Sequence, residues 1–374
     1  MTQKAVLIGI NAGNNAGAEG REKSLDSMEE LAMLSETAGA VNVFKILKNI
    51  KNIDPAYYLS KGMLEDIKNA VVSKDADIVI IDASLSPAQE RNLSDYFDLN
   101  VIDRTRLILD IFATHARTAE GKYQVELAMM NYLLPRLKGA GIMLSKTGAG
   151  IGTRGPGETK LETDRRKVRQ KIAHIKEKLK LSEKTRLLHR AKRDKQGLLT
   201  AAIVGYTNSG KSTLMQSLTG QGEGGENKLF ATLGTKTASI YDAGRRKKII
   251  ISDTVGFIQN LPVFLVKSFK ATLEETAYSD LLLHVVDPLQ KDAEHKSKEV
   301  MKILDDIGAG DKKIMTVINK IDLLTDEQTD YLQVKFERLT GKPAVPVSAK
   351  TGKNINLLKE KIFESLEGER VLSE

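Results

Sequence analysis

From residue 5 to about residue 104, short apolar runs alternate with stretches whose apolar residues recur every three or four positions. The runs AVLIGI, AVNVFKIL, DIVIID and NVID have the length and β-branched content of buried strands, and the stretches near residues 28–37, 63–72 and 87–96 have helical period. This alternation predicts a small parallel α/β domain over residues 1–104. The pattern then changes to helix alone. Ile108, Ile111, Phe112, Val125, Ala128, Met129, Tyr132 and Leu133 predict a long helical stretch over residues 106–137. Leu161, Val168, Ile172, Ile175 and Leu179, at spacings of seven, four, three and four, predict a second helix with a seam for the first. The two are expected to lie antiparallel as a hairpin spanning residues 105–197, with a glycine-rich tip in the interval 139–157 and a basic connector over 192–197. Apolar runs at 198–204, 248–252, 314–318 and 343–347, and a closing helix at 355–366, predict a third domain, 198–374, built on a mostly parallel sheet.

Composition narrows the chemistry. The chain has 374 residues, enough for more than one core, and neither cysteine nor tryptophan, so disulfides, thiolate metal sites and cysteine nucleophiles are excluded. His115, His174, His189, His284 and His295 show no metal-ligand spacing. No N-terminal signal pattern and no apolar span of the ~20 residues a membrane helix needs are present, so a soluble, cytoplasmic protein without a transmembrane segment is expected. The net charge of +8 is concentrated: residues 160–195 hold fifteen Lys/Arg against five Asp/Glu, a local excess of ten, which leaves −2 for everything else. That excess, not balanced by acids one turn away, points the second hairpin helix at a polyanion.

The most informative stretch is Gly205-Tyr206-Thr207-Asn208-Ser209-Gly210-Lys211-Ser212, followed by Thr213. Its G-x-x-x-x-G-K-[ST] spacing, between a strand and a helix, is that of a loop whose amides cradle phosphates, with Lys211 on the β- and γ-phosphates and the Ser212 hydroxyl on Mg²⁺. Asp253-Thr254-Val255-Gly256, after a strand, places a carboxylate near the metal and the Gly256 amide near the γ-phosphate. Asn319-Lys320-Ile321-Asp322 ends another strand, and the Asp322 carboxylate can accept from both N1–H and the 2-amino group of guanine, which adenine cannot match. Ser348-Ala349-Lys350 would close over the base with a backbone N–H. Four motifs in this order, each at the carboxyl end of a predicted strand, specify a site for GTP and GDP.

The chain as a whole resembles the HflX-type GTPases, a ribosome-associated branch of the translation-factor-related GTPases. Besides the four motifs, residues 152–166 (GTRGPGETKLETDRR), 58–64, 85–89, 102–105 and 124–127 are similar to landmarks of that family, and residues 257–276 are similar to its second switch region. Phe230-Ala231-Thr232-Leu233 is similar to the first switch, whereas Gly234-Thr235-Lys236-Thr237 departs from the family's Asp-Pro-Thr-Thr run. The resemblance implies a second Mg²⁺ ligand at Thr232, with Thr235 as the fallback, and assigns Lys211, Thr232 and Gly256 to the transferring phosphoryl group. It also implies GTP hydrolysis coupled to the large ribosomal subunit and its ribosomal RNA, in splitting, rescue or recycling of ribosomes; no DNA partner is implied, and a monomer is expected. The chain carries 24 residues beyond Lys350, so contacts through the extra C-terminal domain of many bacterial relatives are not expected.

Where Ras-like proteins carry a water-orienting glutamine after the DxxG glycine, this chain carries Phe257, which predicts slow intrinsic turnover raised by a partner. Asn208 stands where some GTPases coordinate K⁺; it is equally read as a turn-forming asparagine. Two rival classes remain open at this level: an RNA-binding or assembly protein that keeps GTP as a structural ligand, and a metabolic P-loop kinase, which would leave the guanine motifs unexplained.

Overall fold

A computed structural model of the chain describes residues 2–12, 18–137, 156–220, 230, 236–259 and 276–367. The hairpin tip through residue 155, Ala231, Thr232, Leu233, Gly234 and Thr235 of the first switch, and the second switch from 260 to 275 lie outside the described residues. Among those described, the chain divides into two compact units, Met1–Thr114 with Lys122–Leu179, and His115–Gly121 with Lys180–Glu374.

In the first unit β1 (Lys4–Ala12), β2 (Val41–Ile50), β3 (Ile78–Ile81) and β4 (Asn100–Asp103) form an all-parallel sheet of order β2-β1-β3-β4. The connecting helices are α1 (Ala18–Thr37), α2 (Lys61–Ser73) and α3 (Pro87–Phe97). Every residue of β3 is buried, which is why IVII shows no alternation. Val6, Ile8, Ile67, Val79, Ile81, Leu93 and Val101 share one core. Helix α3 starts on a reciprocal cap between Ser86 and Gln89, with Pro87 in its first turn, where no amide is needed. Helix α1 begins ten residues before the apolar period at 28 does, because its opening turns are polar and carry no amphipathic signal.

The single helical stretch expected over 106–137 is two helices, α4 (Arg104–His115) and α5 (Ala119–Arg136). The break has a local cause: Thr118 Oγ1 accepts from Gly121 N at 3.0 Å and so caps a new helix. Helix α6 (Pro156–Lys195) is 40 residues long and absorbs most of the expected basic connector, ending before Gly197 at φ +62°. Its contacts with α5 run antiparallel, as predicted: Glu120 accepts from Ser182 Oγ (2.9 Å) and Arg186 (2.7 Å), and Glu126 meets Lys171 at 2.5 Å. Of the predicted seam, Ile175 is buried and Val168, Ile172 and Leu179 are half-buried; the Leu161 side chain lies outside the described residues.

The second unit carries β5 (Leu199–Gly205), α7 (Lys211–Thr219), β6 (Lys236–Asp242), β7 (Lys247–Asp253), β8 (Leu281–Val286), α8 (Ala293–Asp306), β9 (Lys313–Ile318), α9 (Asp326–Thr340), β10 (Ala344–Pro346) and α10 (Ile355–Leu366). The sheet order is β10-β9-β8-β5-β7-β6, parallel except that β6 runs antiparallel to β7. Both faces are covered: Ala201 and Ile203 pack with Leu214, Leu283 and Leu358, and Ala202 and Val204 pack with Leu282, Val300 and Ile314. The chain steps from β5 to the β7 side and returns to the β8 side, so the carboxyl ends of β5 and β8 flank the crevice where open α/β sheets bind ligands.

At the carboxyl ends of β3 and β4 lies a buried ion cluster. Arg104 donates to Asp82 at 2.7 Å and pairs with Glu30, and Ser27 Oγ also donates to Asp82. Replacing Arg104 by Ala strands these carboxylates, and urea unfolding should show the structure destabilised by about 3–5 kcal/mol.

Candidate nucleotide site

Strand β5 delivers the phosphate loop. Gly205 adopts φ +150°, and a Cβ there would stand 2.3 Å from the Val285 carbonyl oxygen of β8; Gly210, at φ +90°, would place one 2.2 Å from Asn319 Nδ2. Between them Asn208 takes φ +60°, the left-handed conformation that its turn-forming reading requires. Lys211 opens α7 with its ammonium buried and donating to Tyr206 O at 2.6 Å; burial pulls it down to about 8, against the opposing pull of the Asp253 carboxylate. Ser209 Oγ is buried without a hydrogen-bond partner among the described residues. An orphaned hydroxyl and a buried ammonium at a helix N-terminus fit an anionic ligand.

Ser212 Oγ donates to Asp253 Oδ2 at 2.9 Å. A hydroxyl and a carboxylate side by side at that helix start are hard oxygen donors suited to Mg²⁺; Thr232, expected to complete the set, lies outside the described residues. Thr254 Oγ1 donates to Ile203 O at 2.7 Å, which fastens the end of β7 to β5, and Val255 is buried. Gly256 approaches the phosphate loop closely: a Cβ would meet Thr207 Cγ2 at 2.8 Å and Lys211 Nζ at 2.9 Å. Phe257 N donates to Gly205 O (3.1 Å) and Phe257 O accepts from Thr207 N (2.8 Å), a short parallel bridge onto the phosphate loop. Its side chain, 3% exposed, packs among Val204, Tyr206, Leu282 and Val300. Phe230 is buried as well, at φ +59°.

The base side is built from the ends of β9 and β10. Asn319 Nδ2 donates to Ser209 O (2.9 Å) and its Oδ1 accepts from Ala349 N (2.9 Å), which ties this motif to the phosphate loop and to the closing loop. Within the closing loop the Ala349 N–H is thus engaged with Asn319, and Ser348 holds Asp322, donating from Oγ to Oδ1 at 2.7 Å. Ile321 is buried, and Ser217 of α7 donates to Ala349 O. A cavity of about 780 Å³ opens here, lined by Gly210, Thr213, Gln216, Ser217, Asn319, Lys320, Asp322, Leu323, Ala349 and Lys350. Its volume and polar lining suit a purine nucleoside beside the phosphate loop.

Three residues of this region escaped the sequence reading. Asp287 accepts from Lys320 Nζ at 2.6 Å, and Gln290 Nε2 donates to Thr207 O at 3.1 Å. His284 sits wholly buried in β8, with neither ring nitrogen hydrogen-bonded among the described residues, and burial, with the Lys211 charge adding to it, lowers it to about 4. The only signal in the sequence was a polar residue inside an apolar run, Leu281 to Val286, and an Asp-Pro at its end.

Residues 25–113 match the family model described as GTP-binding GTPase N-terminal, residues 115–193 match GTP-binding GTPase Middle Region, and residues 200–320 match 50S ribosome-binding GTPase. The chain is 48% identical over 323 residues to a GTPase HflX of Caldanaerobacter subterraneus, covering 86% of this chain and 73% of that protein. It is 40% identical over 349 residues to the GTPase HflX of Escherichia coli K12, covering 93% and 81%. Among solved structures, a GTP-binding protein from the hyperthermophilic archaeon Sulfolobus solfataricus in complex with GDP superposes with a TM-score of 0.51 at 26% identity, covering 97% of this chain and 98% of that one.

Two outcomes follow from this geometry. Asp322→Asn should weaken GTP by roughly a hundredfold or more, since the acceptor pair expected for guanine would lose its charge and one oxygen would be replaced by a donor facing a donor, and should admit xanthosine triphosphate; competition titrations with both nucleotides check this. Because folded His284 refuses a proton that the unfolded chain accepts near pH 6.5, its contribution to stability is full above that pH and is lost as pH falls towards about 4. Urea unfolding at stepped pH should show a difference of order 3 kcal/mol in the pH dependence between wild type and His284→Leu over that window.

Proposed function

The chain belongs to the HflX family of GTPases, and from that premise we propose that it hydrolyses GTP slowly when alone and faster on the large ribosomal subunit, acting in the splitting, rescue or recycling of ribosomes. The observation that carries the reading is Phe257. The residue after the DxxG glycine is seated in the core and bridged to the phosphate loop through its backbone, so it offers no side chain to orient a water on the γ-phosphate. A GTPase so equipped depends on something else to order its switches.

The rest of the site supports binding and charge neutralisation. Lys211 and the loop amides would hold the β- and γ-phosphates, Asp322 would select guanine, and Ser212 with Asp253 would hold Mg²⁺, directly or through water, with Thr232 as the further ligand. Bound there, Mg²⁺ would supply positive charge against the developing negative charge on the phosphates. Lys211, now donating to Tyr206 O, would transfer that hydrogen bond to a phosphate oxygen, and the anion would raise its proton affinity again.

Helix α6 supports the partner. Arg166, Lys176, Lys178, Lys180, Lys184 and Lys192 are exposed along it and outnumber the exposed acids Glu162, Glu177 and Glu183, a net positive surface that an RNA backbone would neutralise with counterion release. The description of the matched nucleotide domain as a 50S ribosome-binding GTPase points the same way.

Purified large subunits should raise phosphate release by about 10³-fold or more, as activators do for other GTPases, and rising salt should weaken the stimulation steeply. No stimulation by either subunit would leave the nucleotide as a structural ligand.

A further inference from the structure

The turn that leaves β8, residues 287–292, grips both halves of the nucleotide site and belongs to none of the four motifs. Asp287 is buried, one oxygen accepting from Leu289 N at 3.0 Å and the other from Lys320 Nζ at 2.6 Å. Gln290 Nε2 donates to Thr207 O in the phosphate loop at 3.1 Å. The turn is itself closed, Gln290 N donating to Asp287 O and Ala293 N to Gln290 O, both at 3.2 Å, so the two side chains project from one short frame.

Each grip fixes something the nucleotide must meet. A trans peptide points its C=O and N–H in opposite directions. With the Thr207 carbonyl drawn to Gln290, the Asn208 N–H of the same peptide faces the other way, and the peptide cannot flip a carbonyl towards an anion without breaking this bond. Lys320 stands at φ +66°, a conformation a lysine keeps only when held. Asp287 holds its ammonium at 2.6 Å, and Lys320 is one of the residues lining the cavity of about 780 Å³.

We propose that Asp287 and Gln290 are positioning residues that set how tightly and how long this chain holds a guanine nucleotide. Gln290 acts through the phosphate loop, and Asp287 acts through Lys320. The inference rests on the guanine-nucleotide reading of the site and is independent of the ribosome.

The test uses the full chain carrying Asp287→Asn, Asp287→Glu or Gln290→Met, with release of a fluorescent GDP analogue, KM and kcat for GTP, and melting temperature as readouts. Asp287→Asn and Gln290→Met should each speed GDP release and raise KM roughly tenfold, the loss of one buried or charge-assisted hydrogen bond, with kcat changed by no more than about twofold. Asp287→Glu should restore most of the affinity. Competition with guanosine separates the two grips: Asp287→Asn should weaken guanosine and GDP alike, and Gln290→Met should weaken GDP alone. Unchanged GDP release in both variants, or faster release tracking a fall in melting temperature and in kcat together, overturns the proposal. Failure of the wild-type chain to bind the GDP analogue would instead remove the reading beneath it.

Discussion

The Asn319 carboxamide is the point at which the three loops of the nucleotide site become one object. It donates to the phosphate loop at Ser209 O, accepts from Ala349 N of the closing loop, and fills the space that a side chain on Gly210 would claim. Both bonds are buried, so removing the amide would strand a carbonyl and an N–H, at about 1–3 kcal/mol each. Because β5, β9 and β10 are held in one sheet by the packing of Leu283, Val317, Val345 and their neighbours, the carboxamide meets its partners without further adjustment. The sheet fixes where the loops begin, and Asn319 fixes how they face one another.

Around that junction the protein tolerates polar groups that an ordinary core would exclude. Lys211 is desolvated, Ser209 Oγ lacks a partner among the described residues, and His284 lies neutral in the central strand beside β5. For Lys211 and Ser209 the imbalance has a use, because a phosphate would satisfy both and the free energy of relieving them would add to binding. For His284, which shares a small cavity with Tyr206, Ser297 and Val300, the benefit is not of that kind. It makes the folded state sensitive to acid from within the sheet.

The strands were legible because parallel sheets buried on both faces write themselves as unbroken apolar runs, and the phosphate and base motifs were legible because each ends such a run. Residues 281–286 were less so, since a histidine interrupts them. Strand β6 was hidden: its residues 236–242 alternate charge, threonine and tyrosine along an exposed edge, and they directly follow a first switch that departs from its family's pattern. The break between α4 and α5 left no mark in the apolar pattern, which is silent between Phe112 and Val125, while the Thr118 cap that opens α5 is a three-dimensional event. Of the site, the motif residues were readable from spacing. Asp287 and Gln290 were not, because their role arises from a turn lying between two loops that are distant in sequence.

Gly205 carries an implication about change over time. The nearest atom to its missing Cβ belongs to the backbone of β8, not to any ligand contact, so an alanine there would prise apart the two central strands at the place where both loops depart. The position is therefore closed by architecture before chemistry is considered. A descendant of this chain that abandoned nucleotide binding, letting Lys211 or Asp322 drift, would still be obliged to keep that glycine for as long as it kept the sheet.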